Sequence, residues 1–314
     1  MRISVIIPTH NEEKMIERSL AKHLAQTRLA DEVIIVDDSS DKTPEIVREY
    51  EKKTSGRVKL VHFSERRGVS FARNQGAKAA KGELLIFIDA DIMLDPNCIE
   101  EIEKVMAKTG VRAATWKSKR AKPETFMEKC YWVRATHYGE SRGSEEAFIV
   151  PACYTRELFD EIGGYNEKLK YFEDREIADK LKKKGVKVEE VNAYISHLDP
   201  SSIADFTKQA SWLGGSLTLE VIKKRLRNIL HPLAPAHWGF VFLFALLGLI
   251  YYPFFYLSAL LLAVVVFEAF RCIWLTKMVF PSFGYVVLSC ARAFIIAFSY
   301  LYALIRRLIK PQSS

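Results

Sequence analysis

The sequence is poor in cysteine, with five in 314 residues: Cys98, Cys130, Cys153, Cys272 and Cys290. The number is odd and no pair has Cys-x-x-Cys spacing. That argues against a disulfide framework or a zinc ribbon and fits a reducing compartment. No Gly-x-Gly-x-x-Gly follows the first apolar run, which weakens a dinucleotide-binding reading. A signal peptide is not expected, because the apolar run Ile3–Pro8 is short and Asn11-Glu12-Glu13 follow it at once. The N-terminal domain is therefore expected to be cytoplasmic.

Acid is what the last part of the chain lacks. Residues 228–314 hold one carboxylate, Glu268, against six lysines and arginines, while residues 1–227 hold 40 basic and 37 acidic side chains. The net charge of +8 and the mean hydropathy of −0.01 are thus averages over two unlike segments. Charge is missing altogether from Trp238 to Phe267, 30 residues in a row. As one helix this run would reach about 45 Å, more than a ~30 Å hydrocarbon core requires. Pro253 falls in its middle and would break or kink it. A second apolar run, Met278–Ile305, is interrupted by Arg292. Two transmembrane helices result if the first run is one kinked span, three if the proline makes it a hairpin. The basic stretch Lys223–Arg227 before the runs and Arg306, Arg307 and Lys310 after them read as cytoplasmic flanks. Because this excess of positive charge borders apolar runs, it suits anionic membrane lipids, and no nucleic-acid partner is expected.

The charged segment alternates between strand and helix patterns. Apolar runs at Ile3–Ile7, Glu32–Val36, Val58–Phe63 and Leu84–Ile88 alternate with helical patterns from Asn11, over Thr43–Lys53 and Ser70–Lys81, and after Asp95-Pro96. The expected fold is α/β, a mostly parallel, doubly wound sheet flanked by helices. Ligands of such sheets bind at the carboxyl ends of the strands. There the sequence puts Thr9-His10-Asn11-Glu12, Asp37-Asp38 and Asp89-Ala90-Asp91. Side chains one residue apart on an extended chain share a face, so Asp89 and Asp91 can approach one ion. Oxygen ligands suit Mg2+ or Mn2+, and Asp37-Asp38 adds like charge that invites a cation or hydrogen-bond donors.

Four segments occur in order: Pro8-Thr9-His10-Asn11-Glu12-Glu13, Val36-Asp37-Asp38-Ser39-Ser40, Ala72-Arg73-Asn74-Gln75-Gly76 and Phe87-Ile88-Asp89-Ala90-Asp91. Together they resemble the inverting nucleotide-sugar glycosyltransferases of family 2, with the Rossmann-like GT-A fold, over roughly residues 1–215. The resemblance implies that Pro8, Thr9, Asn11 and Glu12 border the nucleotide. It implies that Asp38, with Asp37, bonds the base or ribose, that Arg73 helps hold the nucleotide, and that Asp89 lies near ribose and metal. Asp91 would ligate an Mn2+ or Mg2+ on the diphosphate, and Asn74 and Gly76 would shape turn and packing.

Further on, Gly163-Gly164-Tyr165-Asn166-Glu167 and Tyr171-Phe172-Glu173-Asp174 resemble the family's acceptor-side motif, which makes Asp174 the general base and Glu173 its support. His197 matches a position near metal and diphosphate. At Gln209-Ala210-Ser211-Trp212 the Arg-Trp pair of processive synthases is missing, which argues against processive synthesis. The implied organisation is a GT-A domain over 1–227 and a multi-pass membrane anchor over 228–314. The implied reaction moves one sugar from a UDP- or GDP-sugar to a hydroxyl of a lipid-linked or membrane-associated glycan. The alternative is a polyprenyl (dolichyl) phosphate sugar synthase, whose acceptor is a lipid phosphate.

Overall fold

A computed structural model describes residues 1–120, 123–130, 132–133, 152–169, 173–197 and 202–216, with scattered helical positions between 256 and 302. The chain divides into two compact units, Met1–Ala121 with Ala147–Leu198, and Lys122–Glu146 with Asp199–Ser314. The expected boundary at 227/228 lies outside the described residues.

The first unit carries an eight-stranded sheet. Its elements begin β1 (Ile3–Thr9), α1 (Ile16–Leu24), β2 (Glu32–Asp37), α2 (Thr43–Lys53), β3 (Val58–His62), α3 (Val69–Ala79) and β4 (Leu84–Phe87). They continue with β5 (Ile92–Leu94), α4 (Cys98–Thr109), β6 (Ala113–Arg120), β7 (Cys153–Thr155), α5 (Arg156–Glu161), α6 (Glu173–Lys183) and β8 (Val188–His197). α7 (Ile203–Ser216) belongs to the second unit.

The strand order is β3-β2-β1-β4-β7-β6-β8-β5. β1 through β4 pair in parallel, as expected of strands separated by crossover helices. The other half departs from the doubly wound expectation. β7 runs antiparallel to both β4 and β6, and β5 antiparallel to β8, while β6 and β8 are parallel. β5 and β7 are three residues each, too short to leave a periodic signal, and their partners are distant in sequence.

Two cores sandwich the sheet. One packs Ile16 and Leu20 of α1, Val47 of α2 and Ile99 and Ile102 of α4 on Ile3, Val5, Ile7 and Ile86. The other packs Ala72 and Ala77 of α3, Leu158 and Phe159 of α5 and Ile177 and Leu181 of α6 on Ile6, Ile34, Leu85 and Phe87. Every residue of β2 is buried, as both-face coverage demands. Gly76 lets α3 lie close on β1: a Cβ there would collide with Ile6 Cγ2 and stand 3.1 Å from Val36 Cγ2. α1 begins later than its pattern suggests, because Asn11 takes φ 56 and residues 12–15 form a turn closed on the Glu12 carbonyl. Cys98, Cys130 and Cys153 are buried free thiols.

Among the described residues no helix is long and apolar enough to cross a membrane. Most of the two apolar runs, the stretch Lys223–Arg227, and Arg292, Arg306, Arg307 and Lys310 lie outside the described residues. The described helical positions there include exposed Tyr256, Val266, Phe267, Phe270, Phe280 and Val287.

Candidate active site

The carboxyl ends of β1 and β2 are joined by side chains. Asp37 is fully buried. Its carboxylate accepts from Thr9 Oγ1 at 2.8 Å and from Ser39 Oγ and N at 2.5 and 3.2 Å, and lies 2.8 Å from His62 Nδ1. Asp38 accepts the backbone N–H groups of Arg67 at 2.8 Å and Gly68 at 3.4 Å, with His10 Nδ1 2.8 Å from its other oxygen. Next in the chain, the Asn11 N–H donates to Ser39 Oγ, Ser40 N–H donates to Asn11 Oδ1, and Glu12 N–H donates to Thr43 Oγ1. The result is a stitched wall. Thr9 and Asp37 face into it, and the half-buried Pro8, Asn11 and Glu12 border it.

The second cluster centres on Arg73, from the first turns of α3. Its Nη2 donates to Asp89 Oδ1 at 2.8 Å. Its Nη1 is shared between Glu173 Oε1 at 3.1 Å and Asp174 Oδ1 at 3.0 Å. The guanidinium carbon stands 5.0 Å from the centre of the Tyr165 ring. The structure thus brings Arg73, Asp89, Glu173 and Asp174 together, although Arg73 is spent on protein carboxylates rather than turned to an open pocket. Asn74, next on α3, donates from Nδ2 to the Tyr165 carbonyl and accepts the Tyr165 N–H on Oδ1, the shaping role expected of it. Burial disfavours charge on Arg73, but Asp89, Tyr165, Asp174 and Glu173 outweigh it and hold the guanidinium well above its usual range. Burial pushes the Asp174 carboxyl up, Arg73 opposes it, Glu173 and Asp89 add to it, and the carboxyl stands at about 6.

Three carboxylates on one guanidinium leave a local excess of acid at the end of β4. The Asp89 side chain is 40% exposed and Asp91, two residues on, is exposed. This all-oxygen set fits a hard divalent cation, which is commonly held by one or two carboxylates plus substrate phosphate. Among the described residues no group of three His, Cys, Asp or Glu side chains could hold a metal ion by itself. The backbone register sets His197 opposite Ile92, next to Asp91 in sequence; its side chain lies outside the described residues. A cleft of about 840 Å³ is lined by Asn74, Phe159, Tyr165, Glu167, Glu176 and Lys180 among others. It borders the Arg73 cluster through Asn74 and Tyr165 and contains none of Asp89, Asp91 or Asp174.

Two family models match this chain: glycosyl transferase family 2 over residues 4–152 and glycosyl transferase family group 2 over residues 84–305. The second spans more than half of the chain. The chain belongs to glycosyl transferase family group 2. The transferase is 37% identical over 101 residues to a putative glycosyltransferase, EpsH, of Bacillus subtilis, covering 32% of this chain and 29% of that one. It is 28% identical over 179 residues to the glucosyl-dolichyl phosphate glucuronosyltransferase of Haloferax volcanii, covering 53% and 56%. The chain therefore spans less than two thirds of the length of these curated relatives. Its fold is like that of a mannosyltransferase from Pyrobaculum calidifontis solved with GDP-Man and Mn2+. The TM-score there is 0.56 and the identity 21%, with 96% of this chain and 87% of that one covered.

Sequence reasoning gave Tyr165, His10 and His62 of this transferase no role. Tyr165 carried a signal, standing in a motif directly after two glycines with positive φ. His10 follows an apolar run and His62 lies inside one, and nothing in the sequence pairs them with Asp38 and Asp37.

Proposed function

We propose that this transferase moves one sugar from a UDP- or GDP-sugar to a hydroxyl of a lipid-linked glycan, inverting the anomeric centre, with its catalytic domain on the cytoplasmic face of a membrane. The observation that carries the reading is Asp174, a 39% exposed carboxyl at about 6, one guanidinium away from the donor-side Asp89. A carboxyl there is mostly ionised at neutral pH yet basic enough to take a proton. An attacking hydroxyl has a proton to lose, whereas a lipid phosphate is already ionised and needs no base. Asp174 therefore favours the hydroxyl acceptor. The Haloferax relative is named for glucosyl-dolichyl phosphate, a lipid-linked sugar, which supports the same class.

In this reading Asp174 receives the acceptor proton and Glu173 keeps it oriented at the start of α6. Pro8, Asn11, Glu12 and Asp38 line the nucleotide side, and Thr9 and Asp37 hold that wall from within. Asp91 and Asp89, with His197, would hold Mn2+ or Mg2+, whose charge neutralises the departing nucleoside diphosphate. Membrane attachment is supported by the 30-residue uncharged run and by exposed Phe267, Phe270 and Phe280 in the second unit. The test is release of nucleoside diphosphate by the full chain in vesicles, from a panel of UDP- and GDP-sugars with and without EDTA. Release that needs divalent metal and a glycolipid hydroxyl is expected. Release driven by bare polyprenyl phosphate would overturn the acceptor assignment.

A further inference from the structure

Arg73 is 5% exposed, and its guanidinium touches both halves of the site, Asp89 from the end of β4 and Glu173 and Asp174 from the start of α6. Those partners lie 16, 100 and 101 residues away along the chain. Below it, the Tyr165 ring takes the cation at 5.0 Å, and Tyr165 is itself gripped at its N–H and carbonyl by the amide of Asn74. Two adjacent residues of α3 therefore hold both the loop and the helix that carry the proposed base. The arrangement is not the one that best satisfies Arg73. Among the described residues its Nε is buried without a hydrogen-bond partner, a group that ordinarily costs stability and calls for an explanation. Here the fork is oriented by three carboxylates.

We propose that Arg73 is a positioning residue, setting the distance between the acceptor-side Glu173-Asp174 pair and the donor-side Asp89, and not a ligand of the nucleotide. The proposal rests on the reading of Asp174 as base and deepens it. The guanidinium is needed as a fork: one nitrogen reaches Asp89 while another is shared by Glu173 and Asp174, a span that the single ammonium of lysine lacks. Loss of the fork lets the start of α6 drift relative to β4, and a misplacement of about 1 Å costs about 10²-fold in rate. Arg73 meets the donor side only through Asp89, so the loss is expected in kcat rather than in donor affinity.

The experiment compares wild type, Arg73→Lys and Arg73→Gln as full chains in vesicles, with thermal unfolding measured alongside. The expected result is a kcat for transfer about 10²-fold lower in both variants, with the KM for the sugar nucleotide within about 3-fold of wild type. A raised donor KM at unchanged kcat, or full activity of Arg73→Lys, overturns the proposal. If both Arg73 variants unfold, Tyr165→Leu decides, since it removes the ring under the guanidinium and leaves the three carboxylates. A several-fold loss in kcat at constant donor KM supports the proposal, and unchanged kcat overturns it. Absence of any nucleoside diphosphate release from wild type would remove the transferase reading itself and this inference with it. Normal wild-type release with unaffected variants removes this inference alone.

Discussion

The two acidic clusters of the first unit lie at the ends of β2 and β4, the two strands that flank β1 in the sheet, and solve the problem of buried charge in opposite ways. Asp37, at the end of β2, is surrounded by hydroxyls, a backbone N–H and an imidazole, each placed to donate to it. Asp89, Glu173 and Asp174 share one guanidinium, more acid than it can neutralise. The first arrangement is complete without a ligand and ties two loops together. The second is left with excess negative charge and a carboxyl at about 6, which suits the proton transfer proposed for it. In the proposed reading, satisfied hydrogen bonds go with the scaffold and unbalanced charge goes with the chemistry.

The sharpest way to break this contrast is Asp174→Asn. Transfer is expected to fall about 10²–10⁴-fold with donor affinity unchanged, as read by sugar-nucleotide titration. The same variant should unfold at a higher temperature at pH 7. The carboxyl is 3.8 in its ordinary state and about 6 when folded. It holds its proton more tightly in the folded chain, so its favourable contribution is full below pH ~4 and is lost as pH rises through 6. An unaltered or lowered unfolding temperature for Asp174→Asn would place Asp174 with the scaffold group. In wild type, the transfer rate should decline as pH falls below about 6, following protonation of the proposed base.

That acid limb has to be separated from acid unfolding, and His23 supplies the control. It is buried in α1, neither ring nitrogen is hydrogen-bonded among the described residues, and burial lowers it from 6.5 to about 4. Between those values the unfolded chain takes up a proton that the folded chain refuses. Stability is therefore lost as pH falls from 6.5 toward 4, by about 3 kcal/mol. His23→Phe should flatten the pH dependence of denaturant midpoints and leave the activity limb in place.

Asp37→Ala, which strands the donors around it, should lower unfolding free energy by about 2 kcal/mol. Any activity it loses should return at lower temperature; a loss of turnover in fully folded protein would move Asp37 into the chemical group. The smallest expected effect is that of Gly76→Ala, about 1–2 kcal/mol of overpacking against Ile6. Because that contact seats α3, and α3 carries Arg73, the variant should also slow transfer while leaving the Asp37 wall intact.

Much of the first half was legible in the sequence because it is local. β1 to β4 alternate with helices, α2 spans the expected Thr43–Lys53, and Asp37 and Asp89 fall at the carboxyl ends of β2 and β4. The mixed half was not, since β5 and β7 have three residues each and pair with strands far along the chain. Arg73 shows the same limit in the site. Its motif pointed to the donor, but its partners on α6 are 100 and 101 residues away, and nothing in a linear pattern records that contact. Nor does sequence separate Asp37 from Asp38: the two are adjacent, yet Asp37 is sealed in among hydroxyls while Asp38 reaches the loop before α3.

Asp89-Ala90-Asp91 is also the crossing at which the chain leaves the middle of the sheet for its far edge. β5, which it enters, is held to β8 by three residue pairs at the edge of the sheet. Such an edge opens at low free energy, so its amide protons should exchange with solvent well before those of β1 and β4. A ligand that gathers Asp89 and Asp91 would draw that edge in, and its occupancy should be legible as slowed exchange in β5 and β8.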